Sequence, residues 1–216
     1  MFAGRAEVGP LLRCELPCAH SCAALAGASL EIAPRAKGYR GFTRRVPVGP
    51  CAFITPFNFP IAIPAWKIAP ALVYGNAVVW KPASTVPLLA MRLAQALTQA
   101  GLPAGVLGLL VGGTDVGDAI VGHPGIDALT FTGSTGVGRR IAAAAAARGI
   151  PAQAEMGGKN AAVVLDDADL DLAVDQVMAG AFRSTGQKCT ATSRLIVTDG
   201  IADRFLAALT ERARAL

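Results

Sequence analysis

The feature that most constrains this chain is an alternation. Between residues 46 and 148, short apolar runs give way repeatedly to longer stretches with helical spacing, and glycine or proline marks the junctions. The runs at 51–54, 77–80, 106–111 and 126–131 are predicted strands, and the stretches at 61–74, 86–100, 116–122 and 137–148 predicted helices. Ser84 is placed to cap the second helix, with Pro87 in its first turn and Gly101 just past its end. Short apolar strands alternating with helices call for an α/β fold, a doubly wound parallel sheet covered on both faces. The pattern resumes later, with strands at 161–165 and 195–198 and helices at 170–183 and 201–215. Three regions follow: an irregular or helical lead-in over 1–45, the doubly wound domain over 46–154, and the beginning of a second α/β domain over 155–216.

At 216 residues and 53% hydrophobic, the chain has much to bury. Its longest apolar candidate, 68–80, is interrupted by Pro70, Gly75 and Asn76, so no membrane span is expected, and the N-terminus has no signal-peptide core. A cytoplasmic location follows as the expectation. The net charge of +5 comes from scattered arginines rather than a basic tract with interleaved aromatics, which points away from nucleic acid and toward a phosphate-bearing small molecule. Five cysteines without an export signal are expected to be reduced thiols. Cys14, Cys18 and Cys22 recur every four residues near His20, but this spacing matches no common zinc pattern and Pro17 opposes a regular helix, so no metal site is expected.

The candidate chemistry lies between Glu155 and Cys189. Cys189 follows Gly186, Gln187 and Lys188, a loop whose glycine permits unusual backbone angles and whose ammonium favours a reactive thiolate. Glu155 closes an uncharged run, 150–154, and precedes Gly157 and Gly158. A carboxyl enclosed there would suit a general base. Upstream, Thr130, Phe131, Thr132, Gly133, Ser134, Thr135, Gly136, Val137 and Gly138 end a strand and open a helix, where free N–H groups and the helix dipole attract phosphate. The glycines do not follow the usual G-x-G-x-x-G spacing. Asn58 stands just past a strand between two aromatics and two prolines, and Lys81 stands at the carboxyl end of another.

Together, Glu155-Met-Gly-Gly-Lys-Asn160 and Gly186-Gln-Lys-Cys189, 34 positions apart from Glu155 to Cys189, resemble the aldehyde dehydrogenase superfamily, and the resemblance runs from about Arg44 to Leu216. It implies that Cys189 is the nucleophile, Glu155 the base that activates water, and Asn58, with the Cys189 amide, the oxyanion donor. Lys67 matches a position linked to proton relay. The resemblance makes 46–154 a Rossmann-like NAD(P)-binding domain, with cofactor contacts at Ile54, Thr55, Pro56, Phe57, Lys81, Ser84, Gly112, Phe131, Thr132, Gly133, Ser134, Val137, Met156 and Gly157. Many NAD-preferring relatives carry a glutamate three places after the equivalent of Lys81. Ser84 stands there in this chain, so NADP is expected to be accepted at least as well as NAD.

The reaction implied is oxidation of a small aldehyde to its acid through a thiohemiacetal and a thioester. Within the superfamily, the stretches 54–67 and 187–194 read most like the bacterial 2-oxoglutarate semialdehyde dehydrogenases. Family members are longer and homo-oligomeric, and the resemblance implies that this chain stops partway through the catalytic domain. Little steady-state turnover by the chain alone is therefore the expectation, with apolar side chains such as Phe205, Leu206 and Leu209 left uncovered. A different class of function, a non-catalytic nucleotide-binding or assembly module, is consistent with the same truncation.

Overall fold

A computed structural model describes residues 29–32, 37–44 and 46–216. The chain divides into two compact units, Met1–Glu155 and Met156–Leu216.

In the first unit, β1 (Ser29–Ile32) and β2 (Gly41–Arg44) pair antiparallel. This corrects the expectation of an irregular or helical lead-in for those residues; Cys14, Cys18, Cys22 and His20 lie outside the described residues. The rest is the doubly wound sheet. Strands β3 (Cys51–Ile54), β4 (Val78–Lys81), β5 (Leu107–Leu109), β6 (Ala128–Gly133) and β7 (Ala152–Met156) stand in the order β5-β4-β3-β6-β7. The pairs β3–β4, β3–β6 and β4–β5 are parallel. Four helices cover the sheet: α1 (Ala62–Val73), α2 (Pro87–Gln99), α3 (Thr114–Gly122) and α4 (Thr135–Ala147).

Alternation along β3 shows how both faces are filled. Cys51 and Phe53 join Ile68 of α1 and Ala90 and Leu97 of α2 in one core, while Ala52 joins Ile120 of α3 and Ile141 and Ala145 of α4 in the other. Successive strand residues face opposite ways, so a strand with a core on each side is apolar throughout. One buried polar pair bridges neighbouring strand ends in this unit: the Trp80 indole N–H donates to Thr55 Oγ1 at 2.9 Å. The Arg148 guanidinium, just past α4, donates to the carbonyls of Val121, His123 and Ile126 at 2.6, 2.8 and 2.7 Å.

Two features depart from the sequence reading. Ser84 does not cap α2; the N-cap position is Val86, without a side-chain cap bond, and Ser84 is exposed in the preceding turn. Pro87 disfavours helical angles at the residue before it, so the helix begins at Pro87 itself, too far along for Ser84 to reach. Strand β7 was not foreseen. It lies at the edge of the sheet beside β6, and Leu129 N–H donates to Pro151 O at 3.0 Å.

The second unit has two strands, β8 (Asn160–Val164) and β9 (Thr192–Val197), paired parallel, with helices α5 (Leu170–Phe182) and α6 (Asp199–Arg214). Asp169 caps α5, its carboxylate accepting from Leu172 N–H at 2.9 Å. Val164, Val174, Val177, Met178, Ile201 and Phe205 form the core. Phe205, expected to be uncovered, is fully buried there; Leu209 packs partly against the same core, and Leu206 is half exposed. The helical period separates them: Phe205 and Leu209 are four residues apart on one face, and Leu206 lies off it.

Candidate functional site

The carboxyl ends of the parallel strands gather the site residues of the first unit. Ile54 is in register with Lys81 on one side and Phe131 on the other. Thr55 prolongs the pairing, its N–H donating to Lys81 O at 3.1 Å. The chain then turns through Pro56, exposed Phe57 and half-buried Asn58 into α1. Lys81 is buried despite its charge. Its ammonium donates to Pro82 O at 3.2 Å, and burial pulls its pKa below the usual lysine value, with the Asp115 carboxylate opposing that shift. Its side-chain stem runs against the first half of α3, where a Cβ on Gly117 would lie 3.7 Å from Lys81 Cδ and Cε.

Lys67 projects from α1 to the sheet. Its Nζ donates to Thr130 Oγ1 on β6 at 2.7 Å and to Gln153 Oε1 on β7 at 3.1 Å; the Thr130 hydroxyl in turn donates to the same Gln153 oxygen at 2.9 Å. Burial lowers the Lys67 pKa and the charge of Glu155 acts in the opposite sense. Glu155 itself is exposed on edge strand β7, which corrects the expectation of an enclosed carboxyl. An edge strand has a neighbour on one side only, and Ala152, Gln153 and Met156 along it are exposed as well.

The turn from β6 into α4 suits a dinucleotide. The Thr132 hydroxyl is buried and has no hydrogen-bond partner among the described residues. Such a group costs free energy until a ligand satisfies it. Gly133 leaves no room for a side chain, since a Cβ there would come within 2.6 Å of the Phe131 ring. Ser134 holds the N-cap position of α4 without spending its hydroxyl on the cap, and a Cβ on Gly136 would meet nothing within 4 Å. The first N–H groups of the helix are thus approachable by a diphosphate. Gly112, just before α3, is packed so closely that a Cβ would lie 2.4 Å from Val116 Cγ2.

Cys189, Met156 and Gly157 belong to the second unit. After α5 a short 3-10 turn, Arg183–Gly186, carries three consecutive left-handed residues: Ser184 and Thr185 at φ 54° and Gly186 at φ 70°. Two of the three are not glycine, a strain of about 1–3 kcal/mol each that surrounding contacts must hold. Cys189 follows in a turn closed by Ala191 N–H to Lys188 O at 3.1 Å, and its thiol is free and exposed. By contrast, Cys51 is buried, and burial with the nearby Asp127 charge raises its thiol pKa.

Sequence reasoning missed what holds this turn. Asn160 Nδ2, at the start of β8, donates to Cys189 O at 2.7 Å and Ala191 O at 3.2 Å. Arg194 on β9 donates through Nε and Nη2 to Lys159 O at 3.1 and 2.9 Å. Register explains both. Asn160 pairs with Thr192 but Ala161 pairs with Arg194, so β9 carries one extra residue beside the turn, a bulge of the kind that re-aims side chains next to sites. Asn160 ends the motif that begins at Glu155, which was the available signal; for Gln153 the signal was period 2, which puts it on the same face of β7 as Glu155. Among the described residues no group of three or more His, Cys, Asp or Glu is placed to hold a metal ion, and no helix is long and apolar enough to cross a membrane.

Residues 4–216 match the model of the aldehyde dehydrogenase family. The alpha-ketoglutaric semialdehyde dehydrogenase of Bacillus subtilis (strain 168) is 55% identical over 174 residues, which cover 80% of this chain and 36% of that protein. The NADP-dependent glyceraldehyde-3-phosphate dehydrogenase of Streptococcus equinus is 45% identical over 183 residues, covering 84% and 38%. The chain thus spans little more than a third of the length of these curated relatives. Among solved structures, betaine aldehyde dehydrogenase from Staphylococcus aureus in complex with NAD+ superposes with a TM-score of 0.86 at 36% identity, over 90% of this chain and 39% of that one.

Proposed function

The chain belongs to the aldehyde dehydrogenase family, and on that premise we propose that it serves the oxidation of a small semialdehyde, 2-oxoglutarate semialdehyde first among them, to the carboxylic acid with NADP or NAD. In this reading the first unit is the cofactor domain and the second begins the catalytic domain, in a cytoplasmic homo-oligomer. The observation that carries the proposal is the Cys189 turn, an exposed free thiol on a strained turn clamped by Asn160. The Bacillus relative supports the substrate class.

The Cys189 thiolate adds to the aldehyde carbon, and the Asn58 amide and the Cys189 backbone N–H donate to the resulting thiohemiacetal oxyanion. A nicotinamide held by the first unit would supply the acceptor for the hydride leaving this carbon, so that Cys189 would be left carrying the acyl group as a thioester. Glu155 takes a proton from water, whose oxygen adds to the thioester carbonyl and displaces the sulfur to give the acid. Thr132 would satisfy its buried hydroxyl on the cofactor, Ser134 and the α4 N–H groups would hold the diphosphate, and Lys81 and Ser84 would hold the adenosine ribose. Ser84 carries no charge to repel a 2′-phosphate, which favours NADP.

The test is reduced-nicotinamide absorbance with 2-oxoglutarate semialdehyde and each cofactor, using both this chain and a chain of the relatives' full length. Cys189→Ala abolishes oxidation and spares cofactor binding. Glu155→Gln leaves one burst without steady turnover, and Ser84→Glu shifts preference toward NAD. Turnover that survives Cys189→Ala removes the nucleophile assignment. An unchanged cofactor ratio in Ser84→Glu removes the NADP assignment.

A further inference from the structure

The ammonium of Lys67 is held by oxygens from residues 63 and 86 positions away, both of them uncharged. An ammonium has three donors, and these two oxygens take two of them. The Thr130 hydroxyl donates its hydrogen bond to Gln153 Oε1, so it is oriented to offer its lone pairs to Lys67. Three hydrogen bonds thus close a ring among three elements, α1, β6 and β7. Gln153 and Glu155 are two residues apart on one strand and therefore on one face, which puts the Glu155 carboxylate on the side where the ammonium is held.

We propose that Thr130 and Gln153 are positioning residues: their neutral oxygens hold the Lys67 ammonium over β6 and β7, on the face of β7 that carries Glu155. Neutral acceptors fix the place of the charge without cancelling it. A carboxylate at position 153 would instead bind Lys67 in a local ion pair and withdraw its field from Glu155. The lowered Lys67 pKa agrees with a charge that burial penalises more than the Glu155 carboxylate offsets. The consequence for catalysis rests on the reading of Glu155 as base; the cradle itself does not.

The test is a side-chain NMR titration of the full chain labelled at lysine, with the Lys67 signal assigned from Lys67→Arg. Removing an acceptor destabilises the charged form, so Thr130→Val and Gln153→Leu each move the Lys67 titration lower than in the unsubstituted chain. Thr130→Ser keeps the hydroxyl and leaves the titration in place. Gln153→Glu moves it higher. Lys81, whose ammonium donates to Pro82 O, stays put in all four and reports a general disturbance if it does not. Gln153 is exposed, so Gln153→Leu decides the matter if Thr130→Val fails to fold. A Lys67 titration unmoved by Gln153→Leu, or a Lys81 titration that moves equally, overturns the proposal. Continued steady turnover by Glu155→Gln would remove Glu155 as base and leave these titrations as they are, so the two failures are distinguishable.

Discussion

The two units use the same strand–helix alternation to different ends. In the first, strand β3 has a neighbour on each edge and a hydrophobic core on each face. In the second, β8 and β9 place Val164, Leu195 and Val197 against α5 and α6, while Val163 and Ile196, direct cross-strand partners, lie 61% and 56% exposed on the other face. Periodicity along a chain therefore specifies a strand and not how many of its faces are covered. Coverage depends on the number of elements that return to the sheet.

Four experiments break or sharpen this contrast. The largest effect is expected from Phe205→Ala. Truncating a fully buried phenylalanine costs about 3–5 kcal/mol, and a unit of roughly 60 residues has little stability to spare. Hydrogen exchange should show β8 and β9 losing protection while β3 and β6 keep theirs; equal loss in both units would erase the distinction. Next, Arg148→Met leaves three carbonyls without their charged donor and should lower the stability of the first unit by about 2–3 kcal/mol in denaturant titration. Third, Asn160→Asp removes the donor from the Cys189 turn at a cost of about 1–2 kcal/mol, visible as faster exchange at Ala191 N–H with α5 and α6 unchanged. Exchange in Asn160→Asp that matches the parent would show that the left-handed stretch alone holds the turn. The smallest effect on stability, within about 0.5 kcal/mol, is expected from the double substitution Val163→Thr and Ile196→Thr on the exposed face. It should instead reduce concentration-dependent association in light scattering, because an uncovered apolar sheet face is an adhesive one. Unchanged association would mean that the exposed face is not the adhesive one.

The sequence by itself determined helices α1 to α6 and strands β3 to β6, β8 and β9, together with positions such as Gly133 and Gly186 where a side chain is not tolerated. Apolar runs marked the interior strands, Gly101 with φ +92° ended α2 as expected, and Gly133 and Gly186 stand where a Cβ would meet the Phe131 ring at 2.6 Å and the Ala181 carbonyl at 3.0 Å. These are local properties, set by the period of the pattern and the sterics of one or two residues. Strand β7 escaped notice because an edge strand of mixed, mostly exposed residues has no apolar run to announce it. The Ser84 cap was decided within three residues, by the proline after Val86. The partners of Lys67 and of the Cys189 turn were decided only by tertiary structure. Thr130 meets Lys67 across 63 positions and Asn160 meets Cys189 across 29. Such meetings depend on strand order, on register and on a one-residue bulge, none of which leaves a period in the chain, because a hydrogen bond between distant side chains is fixed by how the elements pack and not by the spacing within any one of them.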